Sequence, residues 1–124
     1  MARVLIVDDD LGEIVEFRSR ITLDYPETEI ITLSNGKSAL DYIARRVREE
    51  SPPDLVLMDL QLGGDISGLE TTKRMRELGY QNPIYLVTNF ASIEELSYPG
   101  INGTIYRMLS VSDICRQYLH AHLS

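Results

Sequence analysis

Four stretches of this 124-residue chain end in side chains able to do chemistry. "VLIVDDD", residues 4–10, sets Asp8, Asp9 and Asp10 against four apolar residues. "PDLVLMD" closes on Asp59, "PIYLVTN" carries Thr88 and "GTIYR" ends in Arg107. Adjacent carboxylates repel, so three acids at the end of an apolar run are either solvated loop residues or gathered round a cation. Clustered hard oxygen donors suit Mg²⁺, which takes one or two carboxylates and keeps waters for substrate oxygens. A hydroxyl and a guanidinium opposite the acids suit a phosphoryl group held on an acid. Asp59 is then a candidate carboxylate nucleophile. Carboxylates in general are ionised at pH 7, so such a nucleophile needs no separate base, and the metal would neutralise charge during in-line transfer.

Such residues converge only if the elements beneath them line up. Short runs rich in Val, Ile and Leu occur at residues 4–7, 30–33, 55–58, 84–87 and 104–106. They are mostly unalternated, as strands buried on both faces should be. Between them lie helical stripes: Ile14, Phe17 and Ile21; Leu40, Ile43, Ala44 and Val47; a weaker Leu69, Thr72, Met75 and Leu78; and Ile114, Cys115, Tyr118, Leu119 and His122. Asp10-Leu-Gly-Glu13 and Ser110-Val-Ser-Asp113 read as capping boxes, and Asn35-Gly36, Pro52-Pro53, Gly63-Gly64, Asn82-Pro83 and Pro99-Gly100 as turns. "ASIEELSYPG", residues 91–100, leaves room for about two turns of a fourth helix. Five strands alternating with helices predict one α/β domain over residues 1–124, a doubly wound parallel sheet with its ligands beyond the carboxyl ends of the strands.

Composition narrows the function. Net charge is −7 without a basic patch on the scale of a phosphate backbone, which argues against direct nucleic-acid binding. The run Arg45, Arg46, Arg48 leads into Glu49 and Glu50 and reads as a solvated helix end. No apolar run approaches the ~20 residues of a membrane span, and no signal-peptide pattern precedes the first strand. One cysteine, Cys115, excludes an internal disulfide and suits a reducing cytoplasm.

Together these segments resemble the response-regulator receiver domain of bacterial two-component signalling, a CheY-like, flavodoxin-like fold with strand order 2-1-3-4-5. "VLIVDDD" matches its acidic-pair strand, "PDLVLMDLQL…SGLE" its phosphoacceptor segment, "PIYLVT" its hydroxyl strand and "GINGTIYR" the strand that normally ends in lysine. The resemblance spans the whole length, and the joint spacing carries it more than any one piece. It implies that Asp59 is the aspartate phosphorylated by a sensor histidine kinase or phosphotransfer protein. It implies a Mg²⁺ site of Asp8, Asp9, Asp59 and the Gln61 backbone carbonyl, with Asp9 a direct ligand and Asp8 acting largely through water. Thr88 is implied as the switch hydroxyl, Arg107 as the phosphoryl-binding cation, and Asp10 is left to cap the first helix. The family acts as a signalling switch, not as an enzyme.

The sequence departs from the pattern in places. Arg107 stands for lysine, keeping the charge but with a larger planar head, and Met108-Leu109 replaces the Pro-Phe pair that follows. Asn89 replaces a small residue beside the phosphoryl site. Gln61 and Phe90 fall at positions that tune dephosphorylation in the family. Thr104 replaces the aromatic that swings inward on activation, with Tyr98 and Tyr106 as candidate substitutes. The unusual part is the face of helix four, strand five and helix five, which in the family often meets the downstream protein.

Simpler readings of single residues stand beside these. Thr88 alone is an ordinary strand residue, Arg107 alone a structural partner for Asp59, and His120 and His122 lie on different helix faces and form no metal pair. Two functions remain in competition, a phosphorylatable receiver and a phosphorylation-independent pseudo-receiver that docks a partner. A phosphatase of the haloacid dehalogenase type, with Asp8 as nucleophile, is disfavoured by Gly12 in its motif. A stand-alone regulator and a piece of a longer one both fit.

Overall fold

The apolar runs form β1 (Arg3–Val7), β2 (Glu29–Leu33), β3 (Leu55–Asp59), β4 (Ile84–Thr88) and β5 (Gly103–Tyr106) in the computed structural model, which describes residues 1–124. All neighbours pair in parallel, in the order β2-β1-β3-β4-β5. Parallel strands need crossovers, here α1 (Leu11–Asp24), α2 (Gly36–Arg48), α3 (Gly68–Glu77) and α4 (Ile93–Ser97). A last helix, α5, runs from Val111–Ile114 through a π-helical turn, Cys115–Leu119, into His120–Leu123.

Side chains alternate across the sheet into two cores. Leu5, Val7, Val56, Met58, Ile84 and Leu86 meet Ala39 and Ile43 of α2 and Leu69 and Met75 of α3. Val4, Ile6, Leu55, Leu57, Val87 and Ile105 meet Ile14, Phe17 and Ile21 of α1 and Ile114, Cys115 and Leu119 of α5. Burial on both faces holds for β1, β3 and β4. The expectation of double burial fails for β2 and most of β5, which are half-buried because they are the sheet edges. No helix is long and apolar enough to cross a membrane.

Local chemistry sets the helix starts. Asp10 caps α1, accepting from the Gly12 and Glu13 amides, and Ser67 and Ser110 cap α3 and α5. Asn35, expected in a turn, caps α2 by accepting from Ser38 N. The reciprocal half of the Asp10–Glu13 box is not made, because the Glu13 carboxylate is drawn to Arg107. A complete capping box instead opens α4, between Ser92 and Glu95. That helix is shorter than the two turns expected, only five residues with none buried. The basic run is also less solvated than expected, since Arg46 is half-buried over the Tyr42 ring at 5.6 Å. Gly68 lets α3 start against the end of β3, where a Cβ would fall 2.2 Å from the Asp59 carbonyl oxygen.

Candidate functional site

Parallel pairing brings the carboxyl ends of four strands to one edge. Asp8 follows β1, Asp59 ends β3, Thr88 ends β4 and Arg107 follows β5. The ladder continues to the edge, since Leu60 N donates to Val87 O at 3.0 Å and Arg107 N to Thr88 O at 2.9 Å. The side chains therefore stand on hydrogen-bonded backbone.

Asp8 and Asp59 are each only 3% exposed, whereas Asp9 is exposed. Ligand oxygens of the three lie within 4.8 Å of one another. Arg107 reaches across from β5. Its terminal Nη2 donates to Asp8 Oδ2 at 3.2 Å and lies 3.1 Å from Asp59 Oδ1, while its Nε donates to Glu13 Oε1 at 2.8 Å. Asp59 Oδ1 also accepts from Gln61 N at 3.0 Å, and Asp8 Oδ1 accepts from Asp10 N at 2.9 Å. Asp59 Oδ2 makes no hydrogen bond within the protein.

Electrostatics follow from this crowding. Burial pushes the Asp8 carboxyl up to about 7; the Asp10 amide and Arg107 pull it down, and the Asp59 and Glu13 charges push it further up. Burial works against the Arg107 charge, but Asp59, Glu13 and Asp8 outweigh it and raise its pKa above the ordinary arginine value. The guanidinium is thus a resident counter-ion for three carboxylates.

Thr88 is fully buried, and its hydroxyl is engaged away from Asp59. Thr88 Oγ1 lies 2.7 Å from Gln61 Oε1 and 2.6 Å from the Phe90 carbonyl, and accepts from Phe90 N at 3.0 Å. Having one proton, it donates to one of those acceptors at a time. Gln61 Nε2 also donates to Phe90 O at 3.0 Å. The Gln61 side chain therefore ties the turn after β3 to the loop after β4.

Asp8, Asp9, Asp59, Gln61, Thr88 and Arg107 are thus brought together. Of the other three positions, Phe90 joins the site only through its backbone, its ring being 72% exposed; Asn89 is exposed without a side-chain hydrogen bond, and Thr104 is half-buried on β5 opposite Leu86. Tyr98 packs against the α2–α3 core and under the Lys73 ammonium. His120 and His122 do go to different faces, onto Tyr25 and Tyr85. Reasoning from sequence missed Glu13 as a partner of Arg107, because its spacing reads as a capping box with Asp10. It took Gln61 as a carbonyl ligand and a position tuning dephosphorylation without foreseeing its side-chain bonds to Thr88 and Phe90.

The three carboxylates form an all-oxygen donor set that suits a hard divalent cation. Asp9 is the most accessible; its Oδ2 accepts only a 3.2 Å bond from Gly63 N. The residues present fit such an ion, with Arg107 competing for the inner oxygens.

Known proteins share this sequence pattern and fold. Residues 4–117 match the family model of the response regulator receiver domain. The polar-differentiation response regulator DivK of Brucella anthropi is 39% identical over 114 residues, covering 87% of this chain and 85% of DivK. The transcriptional regulatory protein YdfI of Bacillus subtilis is 36% identical over 90 residues, 73% of this chain, and the match spans only 39% of YdfI. A solved CheY-like receiver domain protein from Methanospirillum hungatei shares the fold with a TM-score of 0.79 at 22% identity, over 98% of this chain and 93% of that one.

Proposed function

The chain belongs to the response regulator receiver domain family, and from that premise we propose that it is a phosphorylation-controlled signalling switch with Asp59 as phosphoacceptor. The observation that carries this reading is the convergence of Asp8, Asp9, Asp59, Thr88 and Arg107 on one sheet edge. We take the receiver to extend over residues 1–124 and to act in the cytoplasm.

The phosphoryl group would come from a phosphohistidine on a sensor kinase or phosphotransfer protein. A carboxylate oxygen of Asp59 attacks phosphorus, a P–O bond forms as the P–N bond breaks, and the imidazole nitrogen leaves with the bonding pair. Asp59 Oδ2, free of protein donors, is the oxygen best placed to attack. Asp9, Asp59 and the Gln61 carbonyl would hold Mg²⁺, with Asp8 acting through water. When bound, the ion neutralises charge on the transferring oxygens. Arg107 supplies a second cation to the phosphoryl oxygens. Thr88 would exchange Gln61 and the Phe90 carbonyl for a phosphoryl oxygen, drawing the loop after β4 toward Asp59 and altering the face of α4, β5 and α5. Ile93 and Leu96 of α4 are exposed, as are Phe90 and Met108 in the loops after β4 and β5, apolar surface suited to a downstream protein.

A second reading, a pseudo-receiver that docks without phosphorylation, is favoured by Arg107 bridging Asp8 and Asp59. Titration with beryllofluoride and Mg²⁺, followed by amide NMR, separates the two. Shifts at Asp59 and Thr88 that spread through residues 89–106 and vanish in Asp59→Asn are expected for the switch. No response with Mg²⁺ present refutes it and leaves the docking module.

A further inference from the structure

Glu13 lies outside the acidic cluster that could hold a metal, yet it makes the shortest contact to Arg107, 2.8 Å through Nε. It is third in α1, fixed there by the Asp10 cap, and its side chain is 21% exposed. We propose that Glu13 is the positioning residue of the phosphoryl site: it fixes the plane of the Arg107 guanidinium, so that the terminal nitrogens stay aimed at Asp59.

The need for such a residue follows from the arginine. An ammonium carries three rotatable donors and serves an oxygen from any direction, whereas a guanidinium donates only in its plane. Arg107 enters from the end of β5 and places one terminal nitrogen between Asp8 and Asp59. A divalent cation on those acids competes with that nitrogen for its partners. The Nε bond to Glu13 is independent of them and remains, so the head keeps its orientation and presents its terminal donors to a group on Asp59. Glu13 thus acts through Arg107 and touches no phosphoryl oxygen itself.

This inference rests on the Asp59 reading, and its test separates the two. The probe is beryllofluoride with saturating Mg²⁺, its binding followed by ¹⁹F NMR in wild type, Glu13→Ala, Arg107→Lys and the double variant. Charge alone predicts that deleting Glu13 tightens binding of an anionic probe. Positioning predicts the opposite, a loss of about tenfold, from one charge-assisted hydrogen bond. In the Arg107→Lys background, where no guanidinium needs orienting, the same deletion should change affinity by less than about twofold, the non-additivity expected of residues acting as a pair. Glu13→Gln keeps an oxygen for Nε and should lose only about threefold, since a neutral acceptor is weaker than an ionised one; it runs the same cycle should the alanine variant misfold. Tighter binding on deleting Glu13, or an equal loss in both backgrounds, overturns the proposal alone. Failure of the wild type to take the probe overturns the Asp59 reading and this proposal with it.

Discussion

Asp8→Asn should make the metal-free protein more stable. Asp8 is 3% exposed and burial holds its carboxyl at about 7, against 3.8 for the free group. Between those values the folded state binds a proton that the unfolded chain releases. Stability conferred by the protonated group is therefore present below about pH 4, declines as pH rises to about 7, and is flat above. At about 1.4 kcal/mol for each pH unit of displacement, the ionised carboxylate costs the fold about 4 kcal/mol at pH 8. An asparagine removes that cost but gives Arg107 a weaker acceptor, so a net gain of about 2–4 kcal/mol is expected. With a urea slope of about 1–3 kcal/mol per molar, the unfolding midpoint at pH 8 in EDTA should rise by about 1 M or more. At pH 5 the difference should shrink to a fraction of that. Mg²⁺ should stabilise the wild type and narrow the gap, because it binds the native acids. Equal midpoints at pH 8, or a gain that does not diminish at pH 5, would refute the reasoning and mean that Arg107 already offsets the burial of Asp8.

Other substitutions probe other parts of the structure. Phe17→Ala removes a ring 1% exposed in the α1–α5 core and should cost about 3–5 kcal/mol in urea unfolding. Gly68→Ala puts a Cβ 2.2 Å from the Asp59 carbonyl, so α3 must move off the end of β3; a loss of at least about 2 kcal/mol is expected, measured by thermal unfolding. Gln61→Ala releases Thr88 and the Phe90 carbonyl. It should shift or broaden the amide resonances of residues 88–91 and tighten beryllofluoride binding by about threefold, as one lost neutral hydrogen bond allows.

Much of the fold was legible because its signals are local. Strands one, three and four announce themselves as unbroken apolar runs, since both faces of a central parallel strand meet a core. The stripes of α1 and α2 follow helical spacing for a similar reason, each having one face to bury. Edge exposure of β2 and β5 was not legible in the runs themselves; it follows only from the order 2-1-3-4-5 that the resemblance implies and the sheet adopts. The brevity of α4 was legible in part, since residues 91–100 leave room for only about two turns, and the helix that forms is shorter still, five residues. The π-helical turn in α5 widens a helix whose apolar spacing reads as α-helical.

The same division runs through the site. Residue types and their places at strand ends were enough to single out Asp8, Asp9, Asp59, Thr88 and Arg107, because parallel strands deliver their carboxyl ends to one edge whatever the loops do. The partners each side chain takes there were decided only in three dimensions. Glu13 and Arg107 are 94 residues apart, and Gln61 and Thr88 are 27 apart. A hydrogen bond depends on angles and distances that residue identity does not carry. Sequence thus determined that acids, a hydroxyl and a guanidinium would meet. Tertiary structure decided that the guanidinium lies between two of the acids with Glu13 behind it, and that the hydroxyl is turned toward Gln61, because burial leaves each of these groups only the partners within reach.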